Sequence, residues 1–149
     1  MFESSFLRRT VHLSQTGVHG GFQPLVVGVA RSVQVATAPD TGYQIQGVAD
    51  FTGDGKADLL WHHATRGEVW MWTMDGTTRL ADTWIATVPE TEYQVVATGD
   101  YNGDTKADIL WYHATRGEVW LWLMNGATKV SETWLATVPD VGYQVVKAK

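Results

Sequence analysis

Apolar and polar residues alternate in short stretches through the second half of the chain. In EVWMWTM, residues 68–74, odd positions would face one side of a strand and even positions the other. Both sides are largely apolar, which predicts a strand covered on both faces. ADLLWHH before it, and TRLADTWIATV and YQVVATGD after it, have the length and composition of further strands.

Turn residues separate these stretches. DG at 75–76 and NG at 125–126 tolerate positive φ and predict tight two-residue hairpins. ATRG precedes EVWMWTM as a further turn, and Pro89 ends the third stretch because proline cannot donate to a strand ladder.

The chain repeats itself with a period of fifty residues. Residues 50–99 and 100–149 align without gaps, and 30 of the 50 positions are identical. HATRGEVW recurs unchanged at 63–70 and 113–120, and the likeness reaches back to residue 36. Upstream it fades, so residues 1–35 are interpreted as a degenerate partial blade or an N-terminal extension, and residues 36–149 as the repeats.

Four short antiparallel strands in fifty residues, with both faces apolar, describe a blade of a β-propeller. Blades stack face to face, so most of the eight tryptophans are expected to pack between them. A β-sandwich built from the same hairpins is the alternative, but it would leave one polar face on each strand. The predicted fold class is therefore all-β, with propeller blades of four antiparallel strands.

The composition excludes several classes of function. The net charge is −5 and no basic cluster occurs, which argues against nucleic-acid binding. The absence of cysteine excludes disulfides and thiolate metal sites. No apolar run approaches 18 residues, so no membrane span is expected. MFESSFLRRTVHL lacks the apolar core of a signal peptide.

Two acidic loops, DFTGDGKAD at 50–58 and DYNGDTKAD at 100–108, carry the candidate chemistry. Carboxylates this close repel one another unless a cation lies among them. Hard oxygen donors favour Ca²⁺, with Mg²⁺ as second choice, and fit zinc poorly. Both loops are expected to bind, the lysines through backbone carbonyls. The candidate ligands are Asp50, Thr52, Asp54, Lys56 and Asp58, and Asp100, Asn102, Asp104, Lys106 and Asp108.

The loops allow two other interpretations. An EF-hand is excluded because its twelfth position holds Trp61 or Trp111 where a bidentate Glu is needed, and because strands flank the loop. A solvated turn rich in Asp and Gly remains the alternative. The neutral Thr52 is a weaker ligand. Thr105 stands where the first loop has Gly55, so a positive φ there would strain a β-branched residue.

The stretch GDYNGDTKADILWYHATRGEVWLWLMNG resembles the FG-GAP/VCBS repeats of integrin-like, calcium-binding β-propellers. The resemblance covers about residues 36–149 and implies that the acidic loop binds calcium between the innermost strand of a blade and the next. It implies strands near 43–49, 57–63, 67–74 and 77–87, repeated fifty residues on. The blades would span 43–92 and 93–142, with a closing strand at 143–149. Thr52, Thr105 and the lack of a clear third loop depart from the family pattern.

A ring of this kind needs about four to eight blades. The two and a half blades expected in this chain would leave an apolar face and strand edges uncovered, which favours a closed homo-oligomer. Two chains would give six blades if the N-terminus forms strands; otherwise three or four chains of two blades could close. The alternative is a fragment of a longer natural or designed protein.

The predicted function is a binding module, with a carbohydrate-binding lectin as one possibility. Aromatic faces stack on sugar rings while polar groups orient hydroxyls. A structural or protein-interaction propeller with no small ligand beyond calcium is the alternative. No catalytic motif is visible, so an enzyme is not expected. The resemblance implies a secreted or extracellular protein. The polar candidates for ligand binding are His62, His63, Arg66, Tyr112, His113 and Arg116, with solvated, locally bonded turn residues as the alternative.

Overall fold

The structure is a computed structural model that describes residues 34–38 and 40–139. The described residues from Ala38 onward belong to one compact unit. Almost all of the predicted N-terminal partial blade, residues 1–35, lies outside the described residues. The predicted closing strand at 143–149 also lies outside them.

The described residues form two antiparallel sheets of four strands each, in the order of the chain. Sheet 1 contains β1 (Tyr43–Ala49), β2 (Asp58–His63), β3 (Glu68–Asp75) and β4 (Thr78–Thr87). Sheet 2 contains β5 (Tyr93–Gly99), β6 (Asp108–His113), β7 (Glu118–Asn125) and β8 (Thr128–Thr137). Each predicted boundary lies within one residue of the observed one. The predicted all-β fold with four-stranded blades is confirmed.

Within the described part of the chain, no helix is long and apolar enough to cross a membrane.

The two sheets share the register in which their strands pair. Trp70 pairs with Trp84 in sheet 1, and Trp120 pairs with Trp134 in sheet 2. The inner strand of each sheet carries a bulge at the same position, which shows that the repeat extends to backbone detail.

The turn between the second and third strands of each sheet closes onto the end of the fourth strand. In sheet 1, Gly67 has a φ of 68°, and its carbonyl accepts the Val88 N–H at 2.8 Å. A Cβ at Gly67 would lie 1.7 Å from the Val88 oxygen, so only glycine fits there. Gly117 makes the same contact with Val138 in sheet 2.

The core lies between the sheets. We call the face of sheet 1 that meets sheet 2 its leading face, and the opposite face its trailing face; sheet 2 is named in the same way. The leading face of sheet 1 and the trailing face of sheet 2 form one buried cluster. Its main members are Leu60, Val69 and Met71 from sheet 1, and Ile109, Trp111, Trp122 and Met124 from sheet 2.

The innermost strands β1 and β5 lie side by side, and the outermost strands β4 and β8 are largely exposed. At Gly47 in β1, an added Cβ would lie 2.6 Å from the Thr98 methyl in β5. This is the arrangement of two adjacent propeller blades, and these two sheets by themselves do not close a ring.

Candidate functional site

The first acidic loop, residues 50–57, joins β1 to β2 and folds around the Asp50 carboxylate. That carboxylate accepts the backbone N–H groups of Gly53 at 2.6 Å, Asp54 at 3.2 Å and Gly55 at 2.7 Å. Burial raises the pKa of Asp50, but the three N–H groups outweigh it and the net pKa is lowered. Asp50 therefore stays ionised over a wider pH range than a free aspartate.

The second loop, residues 100–107, repeats this geometry between β5 and β6. Asp100 accepts the N–H groups of Gly103 at 2.6 Å, Asp104 at 3.2 Å and Thr105 at 2.8 Å. The Thr105 N–H is the largest cause of a lowered Asp100 pKa, opposed by burial. Thr105 has a φ of 72°, so this β-branched residue adopts the positive φ that strains it.

The last aspartate of each acidic sequence is buried and accepts hydrogen bonds from backbone N–H groups. Asp58 is fully buried and accepts the N–H groups of Phe51 at 3.1 Å and Met74 at 2.9 Å. In sheet 2, Asp108 does the same for Tyr101 and Met124. Each of these aspartates fastens the start of its loop to the third strand of the sheet.

The remaining predicted ligands lie on the exposed side of the loops. The exposed Asp54 accepts the Lys56 N–H at 2.9 Å, and Asp104 receives the equivalent bond from Lys106. Thr52 Oγ1 lies 3.5 Å from the Asp50 carboxylate. Asn102 bonds to Asp104 through both its amide oxygen and its amide nitrogen.

The lysine side chains turn away from the carboxylates of their own loops. Lys56 Nζ lies 3.1 Å from Asp75, and Lys106 Nζ lies 2.6 Å from Asn125, both at hairpin turns. Asp75 raises the pKa of Lys56 through this contact. The cationic groups therefore link each loop to the next hairpin.

The donor chemistry of the loops was compared with what Ca²⁺ requires. The predicted donors are all oxygens. Oδ1 of the first aspartate in each loop already accepts two backbone N–H groups and Oδ2 accepts one, so Oδ2 keeps one lone-pair site. Within residues 34–38 and 40–139, no group of three or more His, Asp or Glu side chains is arranged to hold a metal ion. The donor set fits a hard cation, and its convergence on an ion stays a prediction.

A polar cluster lies at the turn between β2 and β3, and we call it the His63 cluster. His63 Nδ1 accepts the Arg66 N–H at 3.1 Å, and Nε2 lies 3.3 Å from Asp40. The Arg66 guanidinium reaches Asp40 at 2.8 Å and Glu68 at 3.3 Å. Tyr43 donates its hydroxyl to Glu68 and packs edge-on against the His63 ring.

The His113 cluster is its counterpart in sheet 2. Arg116 binds Glu90 at 2.5 Å and Glu118 at 3.0 Å, and His113 Nε2 lies 3.3 Å from Glu90. The Tyr93 hydroxyl donates to Glu118 at 2.7 Å. This bond, followed by the Arg116 contact, lowers the pKa of Glu118 to about 2.

These clusters bear on the predicted ligand-binding residues. His63, Arg66, His113 and Arg116 all bond to other side chains of their own cluster, and both histidine rings are buried. Their partners lie 23 to 26 residues earlier in the chain, so each cluster fastens the segment before the first strand to the turn after the second. Ligand binding by these four side chains stays a prediction.

His62 and Tyr112 occupy equivalent positions on the leading faces. The His62 ring is 6% exposed and meets the Trp111 ring edge-on at 5.5 Å. Burial, followed by the nearby His63, lowers the pKa of His62. His62 Nε2 and the Tyr112 hydroxyl are buried atoms with no hydrogen-bond partner in the described structure. Neither residue joins the two polar clusters.

A groove of about 540 Å³ runs along the inner strands β1 and β5. None of its lining residues is charged, and none is a predicted ligand-binding residue. They are Ile45, Gln46, Gly47, Val48, Ala97, Thr98 and Tyr101.

Sequence reasoning missed the acidic and tyrosine members of the clusters: Asp40, Tyr43, Glu68, Glu90, Tyr93 and Glu118. The fifty-residue repeat could have indicated them, because each acidic residue aligns with another acidic residue and each Tyr with another Tyr.

The expected packing of tryptophans between blades is wrong for Trp84 and Trp134. These side chains are 52% and 53% exposed on the outermost strands.

Comparison with known proteins gives one family. Residues 50–111 match the model of the FG-GAP-like repeat. Comparison with curated proteins and with solved structures gave no match. The matched segment begins at Asp50, at the start of the first acidic loop, and continues through the second loop to Trp111 in β6. The chain therefore carries an FG-GAP-like repeat over residues 50–111.

Proposed function

We propose that the protein is a propeller-type interaction module in which each acidic loop binds one Ca²⁺ ion. The observation that carries the proposal is the recurrence of one loop conformation at both ends of the FG-GAP-like repeat. In both copies the first aspartate has a lowered pKa, and the fourth residue after it, Asp54 or Asp104, is exposed. A carboxylate that is ionised and accessible is what a hard cation requires.

Each ion would be held by oxygens of the five predicted ligand positions of its own loop, with the lysine contributing its backbone carbonyl. Bound Ca²⁺ would supply positive charge to a loop that contains three carboxylates. Asp58 and Asp108 would have a second role, because their oxygens already hold backbone N–H groups. The ion would therefore reinforce a loop that is already folded.

The first loop also touches sheet 2. The Asp50 carbonyl accepts the Ala107 N–H at 2.7 Å, and the Phe51 carbonyl accepts the Gly126 N–H at 3.0 Å. Stiffening this loop would stiffen the contact between the sheets. Calcium would then act as a structural ion that stabilises the stacked blades as a binding surface.

Calorimetric titration of chelator-treated protein with Ca²⁺ tests this proposal. Heat release and a rise in melting temperature are expected, equivalent to about 2.7 kcal/mol of stabilisation when free Ca²⁺ is one hundred times Kd. The double variant Asp54→Asn with Asp104→Asn should lose both responses. Asp82→Asn, at an exposed position outside the loops, is the matched control. Wild-type protein without heat or a melting shift at millimolar Ca²⁺ would disprove the proposal.

A lectin activity is a second candidate, favoured by the exposed Trp84 and Trp134. Each ring lies on an outermost strand, more than half exposed, and the cross-strand partner is another tryptophan. Exposed aromatic faces of this kind stack on sugar rings. The predicted polar contacts from Arg66 and Arg116 would require these side chains to leave their carboxylate partners.

Binding to a glycan array separates the lectin from a module that recognises proteins only. The lectin proposal expects binding that is lost in Trp84→Ala and Trp134→Ala but kept in Leu80→Ala, a control at a position that is 59% exposed. Wild-type protein that binds no glycan would leave the structural or protein-interaction module as the proposal.

FG-GAP-like repeats are typical of extracellular proteins, and we propose that this protein also works outside the cell. The calcium sites of extracellular modules bind weakly, with dissociation constants up to about the millimolar range.

A further inference from the structure

His62 is a buried histidine in the contact between the two sheets. It lies in β2 on the leading face of sheet 1, and its ring meets the Trp111 ring of sheet 2 edge-on. Its Nε2 atom is buried without a hydrogen-bond partner among the described residues. Such a nitrogen costs less in a neutral imidazole, where it can be the atom without a proton, than in an imidazolium, whose two N–H groups both need acceptors.

Few backbone bonds join the two sheets. Among the described residues, the Ala107 N–H donates to the Asp50 carbonyl at 2.7 Å, and the Gly126 N–H donates to the Phe51 carbonyl at 3.0 Å. Both bonds lie at the first acidic loop, before β2 begins. Side-chain packing supplies the rest of the contact, and His62 is a member of it that can take up a proton.

The second repeat has tyrosine at this position. Tyr112 lies on the leading face of sheet 2 as His62 does in sheet 1, and its cross-strand neighbours are likewise one glutamine and one valine. The backbone of the blade therefore accommodates either side chain. What histidine adds is a charge that depends on pH in the mildly acidic range.

The groups around His62 offer an imidazolium no uncommitted anion. Its cross-strand neighbours Gln44 and Val69 carry no charge. Asp58, on the same strand, already accepts two backbone N–H groups. The carboxylates that sheet 2 presents on its trailing face are each bonded to an arginine or a lysine. The titratable and charged groups of that face are Tyr93, His113, Arg116, Glu90, Glu118, Lys129 and Glu132.

We infer that His62 is a pH-sensitive element of the contact between the sheets, and that protonation of its ring favours separation of sheet 1 from sheet 2. The face of Trp111 attracts a cation, but it replaces only part of the hydration that a buried imidazolium gives up. The charged ring therefore gains by leaving Trp111 for water. The inference requires neither an ion in the acidic loops nor a bound ligand.

The direction of the pH effect follows from burial. Burial, followed by the nearby His63, lowers the pKa of His62 below the ordinary value of 6.5. The packed sheets therefore favour the neutral ring. The stabilisation of the packed state is fully present above pH 6.5 and is lost as the pH falls toward the lowered pKa.

Amide hydrogen exchange followed by NMR, in the presence of chelator, tests the inference. The Ala107 and Gly126 N–H groups report on the contact between the sheets. The Val88 N–H, bonded to Gly67 within sheet 1, is the internal control. As the pH is lowered from 6.5 to 4.5, the protection factors of Ala107 and Gly126 should fall relative to that of Val88 in wild-type protein.

Two variants assign the effect to His62. His62→Tyr introduces the residue that the second repeat uses, and His62→Gln is a smaller neutral replacement if the tyrosine variant does not fold, which circular dichroism checks. Both keep every other histidine of the chain, and both should lose the pH dependence of the protection ratio.

Three results would each overturn the inference. The first is a wild-type ratio that stays constant between pH 6.5 and 4.5. The second is a wild-type protein in which Ala107, Gly126 and Val88 lose protection together, because the acid effect would then not act on the contact between the sheets. The third is a folded His62 variant that keeps the pH dependence of the wild type.

Discussion

Thr105 and Gly55 occupy the same position in consecutive loops and share a left-handed backbone, with φ of 72° and 81°. Both donate their N–H to the first aspartate of the loop, at 2.8 and 2.7 Å. The loop hydrogen bonds therefore impose this conformation whichever residue is present. Glycine adopts it without strain, and a β-branched residue does not.

This relationship predicts that Thr105→Gly stabilises the protein. Relief of the left-handed strain should exceed the entropy that glycine adds to the unfolded chain, for a net gain of about 1 kcal/mol. The reverse change, Gly55→Thr, should cost about the same amount. Urea unfolding of the two variants measures both effects, and a loss of stability in Thr105→Gly would contradict the explanation.

The buried aspartates predict a stability effect that does not depend on any ion. Asp58→Asn replaces one acceptor oxygen by an NH₂ group and leaves a buried backbone N–H of Phe51 or Met74 without a partner. The expected cost is about 1–3 kcal/mol in the presence of chelator. Asp54→Asn, at an exposed position, should change the free energy of unfolding by less than about 0.5 kcal/mol under the same conditions. Equal effects at the two positions would refute the distinction.

The tight contact of Gly67 with Val88 predicts a large difference between two glycines. Gly67→Ala places a Cβ 1.7 Å from the Val88 oxygen, and the turn forces the alanine into a positive φ. The free energy of unfolding is therefore expected to fall by about 4 kcal/mol. Gly76→Ala is the matched control, because Gly76 also has a positive φ but nothing lies within 4 Å of its Cβ position. It should cost about 1–2 kcal/mol. Thermal unfolding of both variants checks this, and a Gly67→Ala protein as stable as Gly76→Ala would show that the contact can relax.

The His113 cluster predicts how stability depends on pH. The pKa of Glu118 falls from 4.5 to about 2 because Tyr93 and Arg116 bond to its ionised form. The resulting stabilisation is fully present above pH 4.5 and is lost as the pH falls toward 2. Urea unfolding across this range should show a smaller pH dependence for Glu118→Gln than for wild type. Glu92→Gln, at an exposed side chain, should leave the dependence unchanged.

The strands could be predicted from sequence because their signals are local. The period-two pattern of EVWMWTM and the turn residues DG and NG act over a few residues, and the observed strand ends lie within one residue of the predicted ones. The fifty-residue repeat supported each local prediction, because the same pattern occurs in both copies.

The candidate site could be predicted only in part. The sequence placed three aspartates in one loop, but it did not separate Asp58, which is buried on backbone N–H groups, from the exposed Asp54. It also gave Arg66 and His63 as ligand-binding candidates, with solvated, locally bonded turn residues as the alternative, and named no partner for them. Their partner Asp40 lies more than twenty residues earlier in the chain, and only the pairing of β1 with β2 brings it to them.

By itself, the sequence determined the repeat, the four strands of each sheet and the residues that form the acidic loops, because these follow from short-range pattern and turn chemistry. The tertiary structure decided which residues are covered. Leu60 and Leu110, or Trp111 and Trp61, are alike in sequence and differ in exposure because one of each pair has a neighbouring sheet against it. Burial depends on what lies across the interface, and that information is absent from the residue's own segment of chain.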